Sequence, residues 1–205
     1  MIPYGAPIVS APPHSGILGE WQLAPQSYYL VVCRLEPENH VLEVLDGFTT
    51  SASTRWLVVV GDLSDSEYVT QLRQRSDPRI RFVGTVYEAA KLQALRYHAF
   101  AYCHGHSVGG TNPSLLESLG CGSAVLAHEN RYNKEVARDA ALYFSSGAVF
   151  SACVRALEAD EALRQRMKAS AQRIVATDYT WEGVAERYFQ LLSARSVDMV
   201  EGART

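Results

Sequence analysis

The segment AFAYCHGHSVGGTNPSLLESLGCGSAVLAHE, residues 99–129, decides the fold, because it runs from one buried strand through a helix into another strand. AFAYC and SAVLA are short apolar runs of the kind that a parallel sheet buries on both faces. Between them, PSLLESLG begins at a proline and ends before the glycine-containing GCG, and both are common helix boundaries. The segment therefore predicts a strand, a helix and a second, parallel strand.

The same unit recurs along the chain. Apolar runs at residues 28–35, 56–62, 79–84 and 141–144 alternate with helical patterns. Val41, Leu45 and Phe48 share one helical stripe, and Ser64 and Glu67 have the spacing of a capping box at the start of the next helix. Two more helices are predicted, one through residues 148–176 and one through 181–196. The alternation predicts an α/β fold, a Rossmann-like doubly wound parallel sheet flanked by helices, with ligands at the carboxyl ends of the strands.

Composition limits the class of protein. The 205 residues are 47% hydrophobic, which suffices for one core, and the net charge of -3 is spread without a basic block, so nucleic acid is not an expected partner. There is no apolar run of the roughly 20 residues that a membrane helix needs, and a cytoplasmic location is expected. The cysteines lack CxxC spacing and are expected to be reduced core thiols; they are Cys33, Cys103, Cys121 and Cys153.

The glycine-rich turn before the helix predicts an anion site. Gly109 and Gly110 allow close approach of a ligand to the backbone, Thr111 or Asn112 can cap the helix, and Pro113 suits its first turn. The helix N-terminus presents N–H groups and the positive end of its dipole. A phosphate or a diphosphate is the expected guest.

Two charged residues fit the same ligand. Glu117 lies one helical turn after Pro113, where its carboxylate can accept hydrogen bonds from ribose hydroxyls; a solvated surface glutamate is the equal alternative. Arg34 ends the first strand, and its guanidinium can hold a diphosphate in two-pronged fashion. The alternative for Arg34 is an ion pair with Glu36 or Glu38.

The histidines leave several alternatives open. His104 and His106 lie two residues apart, on one face if the strand continues there, and His128 ends the next strand. They are structural histidines, metal ligands without an evident third partner, or contacts for the transferred sugar. Neither GxGxxG nor GxxxxGK[ST] occurs, which disfavours dinucleotide enzymes and P-loop NTPases.

These segments together resemble the C-terminal, nucleotide-sugar-binding domain of retaining GT-B glycosyltransferases of family-4 type, a group 1 family. The resemblance spans nearly the whole chain. Within the family, RLEPENH and HGHSVGGTNPSLLE look most like rhamnosyltransferases of polysaccharide biosynthesis. The other matching segments are IPYGAP, VVCRLEPENH, VVVGD, RFVGTV, TNPSLLESLGCGSAVLA and YTWEGVAERYFQLL.

The resemblance implies residue roles. Arg34 and Glu117 would act on the diphosphate and the ribose as the catalytic pair, Gly84 and Val86 would lie beside the base, and no metal or other cofactor is needed. The implied binding set is Arg34, Asn39, Gly84, Val86, Gly109, Gly110, Thr111, Asn112, Pro113, Ser114, Leu115 and Glu117. Asn39 falls where the family has a lysine, and Gly109 falls where it has the first glutamate of E-x7-E. Both departures suggest an altered donor, compatible with dTDP-rhamnose.

The resemblance also predicts a division of the chain. Residues 1–17 would be an interdomain linker, 18–178 the donor domain, and 179–205 a closing helix and tail. Trp181, Tyr188 and Leu192 would face a missing N-terminal acceptor domain. The expected partners are a nucleotide-diphosphate sugar, that domain, and a glycan or lipid-linked acceptor, with at most peripheral contact at the inner face of the membrane. The alternatives are a nucleotide-sugar-binding module without catalysis and an epimerase of GT-B fold.

Overall fold

The computed structural model describes residues 2–75, 77–108 and 110–202. Within them one six-stranded sheet forms, and every pair of neighbouring strands is parallel. The strands are β1 (Tyr28–Val32), β2 (Trp56–Val60), β3 (Ile80–Gly84), β4 (Ala101–His104), β5 (Val125–His128) and β6 (Ala141–Phe144). Their order is β3-β2-β1-β4-β5-β6, so the winding direction reverses between β1 and β4. The predicted doubly wound sheet is confirmed.

Helices cover both faces of the sheet. In the described part of the chain they are α1 (Val41–Thr50), α2 (Glu67–Arg73), α3 (Ala89–His98), α4 (Pro113–Gly120), α5 (Arg131–Ala137), α6 (Gly147–Ala159), α7 (Glu161–Asp178) and α8 (Trp181–Gly202). Short 3-10 turns span Ser15–Trp21, Pro37–Asn39 and Arg138–Ala140. Helices α3, α4 and α5 contribute buried residues to one apolar cluster, and α1, α2 and α6 to a second. The result is three layers.

The strands supply both clusters because successive side chains point to opposite faces of a sheet. In β1, Tyr28 and Leu30 belong to one cluster, whereas Tyr29 and Val31 belong to the other. All four are buried. This double burial accounts for strands that are continuously apolar in the sequence.

Two helix boundaries differ from the prediction. The cap of α2 is Ser66, whose Oγ accepts the Val69 N–H at 3.1 Å, because Ser64 is engaged with Asp62 instead. The helix predicted through residues 148–176 is two helices, because Asp160 adopts an extended backbone and its carboxylate accepts the Leu163 N–H at 2.8 Å. The apolar pattern continues across this break, whereas the cap stops one helix and starts the next.

Residues 2–14 are hydrogen-bonded to the rest of the domain, whereas α8 exposes several large apolar side chains. Residues 2–14 contain no helix or strand, and Ala6 and Val9 donate their N–H groups to Tyr179 O at 2.8 Å and Gly120 O at 2.9 Å. The first 3-10 turn begins at Ser15, before the predicted end of the linker. On α8, large exposed apolar side chains are Trp181, Tyr188, Phe189, Leu191 and Leu192. The boundaries between linker, donor domain and closing helix stay predictions.

Helices α1 and α6 cross closely at Gly47, where a Cβ atom would clash with the Gly147 carbonyl oxygen. We therefore expect Gly47→Ala to lower the free energy of unfolding by about 1–3 kcal/mol, although alanine favours helices. Urea denaturation measures this change. Gly19→Ala is the matched control, because its added methyl group meets no atom within 4 Å. Equal unfolding midpoints for the two variants would contradict the close crossing.

Candidate functional site

The candidate site lies at the carboxyl edge of the sheet, where the order reverses between β1 and β4. Such reversals leave a crevice because the loops after the two strands run to opposite faces. The loop after β1 carries Arg34, and the loop after β4 leads into α4. The two segments that the sequence singles out are therefore neighbours.

Arg34 projects into solvent from the loop after β1. Its side chain is 74% exposed, and Nη2 lies 3.3 Å from Glu36 Oε2 and 3.9 Å from Glu38 Oε1. The ion pairs considered as the alternative to ligand binding are thus present. Exposed pairs of this kind contribute about 1 kcal/mol or less, so a ligand with stronger acceptors can replace them.

Asn39, which is predicted to contact the ligand, is buried and supports the loop after β1. It is 5% exposed; its Nδ2 donates to Arg34 O at 2.8 Å, and its Oδ1 lies 2.9 Å from His106 Nδ1. A Cβ atom on Gly105 would overlap the Asn39 carbonyl oxygen, so only glycine allows this approach. Asn39 therefore ties the loop after β1 to the loop after β4.

The start of α4 has one of the two predicted cap residues, and that cap occupies a backbone N–H group of the first turn. Asn112 is the cap residue, and its Oδ1 accepts the Ser114 N–H at 2.9 Å, while Pro113 has no N–H. Ser114 Oγ lies 2.7 Å from Tyr102 Oη and donates to Val32 O at 3.1 Å. Leu115 is buried. Two N–H positions of the first turn are consequently unavailable to an anion.

Glu117 is held in place by Arg96 of α3. Glu117 Oε2 lies 2.7 Å from Arg96 Nη2, and the two side chains are 43% and 7% exposed. Arg96 Nη2 also lies 3.3 Å from Ser114 Oγ, and Arg96 Nε is buried without a partner. Glu117 is neither freely solvated nor fully buried, because it is paired with Arg96 and its side chain stays 43% exposed.

The remaining predicted residues form two groups, one at the end of β3 and one directly before α4. Gly84 ends β3, two strands from β1, with a left-handed φ of 75°, and no atom lies within 4 Å of its Cβ position. Val86 follows it and is half-buried. Gly110 and Thr111 precede the cap, whereas Gly109 lies outside the described residues. With no atom near its Cβ position, the space beside Gly84 is open.

The histidines are not on one strand face, because β4 ends at His104. His104 is 4% exposed, its Nε2 has no hydrogen-bond partner, and burial lowers its pKa to about 3. His128 stacks on His40 with ring centroids 3.9 Å apart, and burial followed by the neighbouring His40 charge lowers the pKa of His128. His104 and His128 are therefore neutral near pH 7.

Sequence reasoning missed three supporting residues. Arg96 was hidden in a helix with a weak apolar stripe. Asn133 is buried, and its Nδ2 donates to His106 O and His128 O at 2.9 Å; Asn130 donates to the same carbonyl oxygens. Two asparagines three residues apart after a strand were the available signal, since one caps α5 and the other bridges loops.

Other kinds of site find little support in the described residues. They contain no group of three or more histidine, cysteine or acidic side chains that could hold a metal ion. The four cysteines have free thiols, and burial raises the pKa of Cys33 and of Cys121 to about 12. No described helix combines the length and the apolar character that crossing a membrane requires.

The sheet order and the helix layers are those of the Rossmann-like half of a GT-B glycosyltransferase. Residues 48–190 match the family described as glycosyl transferase-like, and the chain belongs to this glycosyltransferase family. A curated relative is glycosyltransferase 1 domain-containing protein 1 of Xenopus tropicalis, 22% identical over 171 residues, which are 80% of this chain and 49% of the relative. The chain thus spans about half of that protein.

Solved structures show the same fold. Sucrose-phosphate synthase from Thermosynechococcus elongatus superposes with a TM-score of 0.75 at 17% identity, over 96% of this chain and 52% of that one. Anabaena HepE in complex with UDP-glucose gives 0.78 at 16% identity, over 88% of this chain and 52% of that one. At such identities the likeness establishes the fold alone.

Proposed function

We propose that this chain is the donor-binding half of a retaining glycosyltransferase of family-4 type. It binds a nucleotide-diphosphate sugar, dTDP-rhamnose, for transfer to a polysaccharide or lipid-linked acceptor. The observation that carries the proposal is the meeting of the Arg34 loop, the start of α4 and the Arg96-held Glu117 at the strand-order reversal. HepE, which shares the fold, binds UDP-glucose.

The chemistry required of these residues is electrostatic. Transfer breaks the bond between the anomeric carbon and the diphosphate, so negative charge develops on the leaving oxygen. Arg34, released from Glu36 and Glu38, would neutralise that charge, and Glu117 would orient the nucleotide through its ribose. Retention requires the acceptor hydroxyl to attack from the side of the leaving group, and its proton passes to the departing diphosphate.

The low positive charge of the loop after β1 supports a rhamnosyl donor. Arg34 is the one lysine or arginine of residues 33–40, and Asn39 is neutral and buried. A 6-deoxy sugar presents no 6-hydroxyl, so it suits a site with fewer polar contacts to the sugar. The specific sugar rests on this argument and on the sequence resemblance.

The epimerase alternative needs an acid and a base beside the sugar. His104 is buried with its pKa lowered to about 3, and His106 is bound to Asn39. Glu117 is already paired with Arg96. These arrangements favour transfer, in which the protein supplies no general base, over epimerisation.

The test is a titration of dTDP-rhamnose, UDP-glucose and GDP-mannose into the chain, followed by ligand-observed NMR. We expect the dTDP sugar to bind most tightly and Arg34→Ala to weaken its binding about 10- to 100-fold, through the loss of charge-assisted hydrogen bonds. Arg166→Ala, an exposed arginine of α7, is the matched control. If no nucleotide sugar binds, or if Arg34→Ala binds like the wild type, the proposal fails.

A further inference from the structure

A cavity of about 650 Å³, lined by both polar and apolar residues, lies on the α5 and α8 side of the turn before α4. Gly110 and Thr111 form one wall, and residues of α5, α8 and the α7 end form the others. Neither Arg34 nor Glu117 lines it. The volume falls in the range of roughly 300–1,000 Å³ that is typical of small-molecule sites. The cavity therefore does not include Arg34 or Glu117, but it shares Gly110 and Thr111 with the predicted nucleotide-binding set.

Two arginines of this cavity have guanidinium donors to spare. Arg138 is paired with Asp178 at 2.7 Å, but Arg131 and Arg187 have no carboxylate within 4.0 Å among the described residues. Arg131 donates to Tyr132 Oη at 2.8 Å, and Arg187 donates weakly to Asp178 O at 3.4 Å. A guanidinium carries five N–H donors, so most of theirs stay open to a ligand.

The other lining side chains suit a sugar. Glu135 has no ion pair within the described ranges, and a carboxylate accepts hydrogen bonds from sugar hydroxyls. Tyr132 is half-buried, and the Arg131 guanidinium carbon lies 4.6 Å from its ring centroid, so the ring is held in place. The Tyr132 ring, with Arg131 over one face, can contact a sugar ring, Glu135 can accept from hydroxyls, and two guanidiniums without a carboxylate partner among the described residues can bind an anion.

We propose that this cavity is an acceptor-side subsite for a saccharide that bears a carboxylate or a phosphate. Arg131 and Arg187 bind the anionic group, and Glu135 accepts a hydroxyl of the same saccharide. The assignment to the acceptor rests on the proposed function, since the transferred sugar leaves the diphosphate beside Gly110 and Thr111. A neutral saccharide would leave both guanidiniums unpaired and would bind more weakly.

The experiment compares three probes by saturation-transfer NMR on the full 205-residue chain. Methyl β-D-glucuronide carries a carboxylate, α-D-glucose 1-phosphate carries a phosphate, and methyl β-D-glucoside is neutral. At least one anionic probe is expected to bind about tenfold more tightly than the glucoside. The double variant Arg131→Gln/Arg187→Gln is expected to abolish this preference, and Arg166→Gln is expected to keep it. The tighter anion identifies the source of the charge.

Equal binding of all three probes, or an unchanged preference in the double variant, overturns the subsite. Titration of dTDP into the same samples separates this result from failure of the proposed function. The double variant is expected to bind dTDP like the wild type, which also shows that it folds. Arg34→Ala is expected to lose dTDP affinity while keeping the preference for anionic saccharides. Absence of dTDP binding by the wild type would count against the donor site and against the assignment of the cavity to the acceptor, whereas the preference for anionic saccharides would stand by itself.

Discussion

Glu117→Ala is expected to lower the free energy of unfolding by about 2–4 kcal/mol in the absence of any ligand. The reason is its partner: Arg96 is 7% exposed and would keep only Ser114 Oγ, at 3.3 Å, as a hydrogen-bond partner of its Nη2. An uncompensated buried cation is costly. The exposure of Glu117 itself places the loss below that of a fully buried pair. Urea denaturation at pH 7 measures it.

Two further variants separate the ion pair from a general effect of losing a glutamate. Glu186→Ala removes an exposed helical glutamate of α8 and is expected to change stability by less than about 0.5 kcal/mol. Adding Arg96→Met to Glu117→Ala is expected to recover part of the loss, because no buried charge remains. A double variant that is no more stable than Glu117→Ala alone would refute this account. A change in nucleotide affinity of a Glu117 variant must therefore be compared with its change in unfolding free energy.

The chain is also expected to lose stability in mild acid through His104. Burial lowers the pKa of His104 from 6.5 to about 3, so the folded chain keeps this ring neutral while the unfolded chain protonates it below pH 6.5. The stabilisation is complete above pH 6.5 and is lost as the pH falls toward 3. Between pH 7.5 and pH 5 the expected loss is about 2 kcal/mol.

The comparison that isolates His104 is the pH dependence of a neutral variant. His104→Gln is expected to show a shallower fall in unfolding free energy between pH 7.5 and pH 5, whatever its stability at pH 7.5. His14→Gln, at an exposed histidine, is expected to keep the wild-type slope. Identical slopes for all three proteins would show that His104 is protonated in the folded chain.

The fold was predictable because its signals are local. Each strand of β1, β2, β4 and β5 is a short apolar run, and Asn112 followed by Pro113 marks a helix start by residue type alone. The break at Asp160 was missed, since the apolar pattern of α6 continues into α7 and only the cap separates them. Helical periodicity cannot distinguish one long helix from two that share a face.

The site was predictable to the level of segments, but the pairings within it were not. Arg34 and Glu117 were predicted as ligand contacts from their positions at a strand end and a helix start, and their roles stay predictions. The Arg96–Glu117 pair depends on how α3 packs beside α4, and the burial of Asn39 depends on contact with Gly105 in another loop. Such contacts join residues distant in the chain, so no local spacing reports them.

Arg34 is paired with Glu36 and Glu38, so under the proposed function a diphosphate would displace two carboxylates from it. Small monovalent anions compete poorly with that pair, whereas a multiply charged diphosphate competes well. After transfer of the sugar, Glu36 and Glu38 would again be available to pair with Arg34. Under the proposed function, they would shorten the residence time of the spent nucleoside diphosphate and keep product release from limiting turnover.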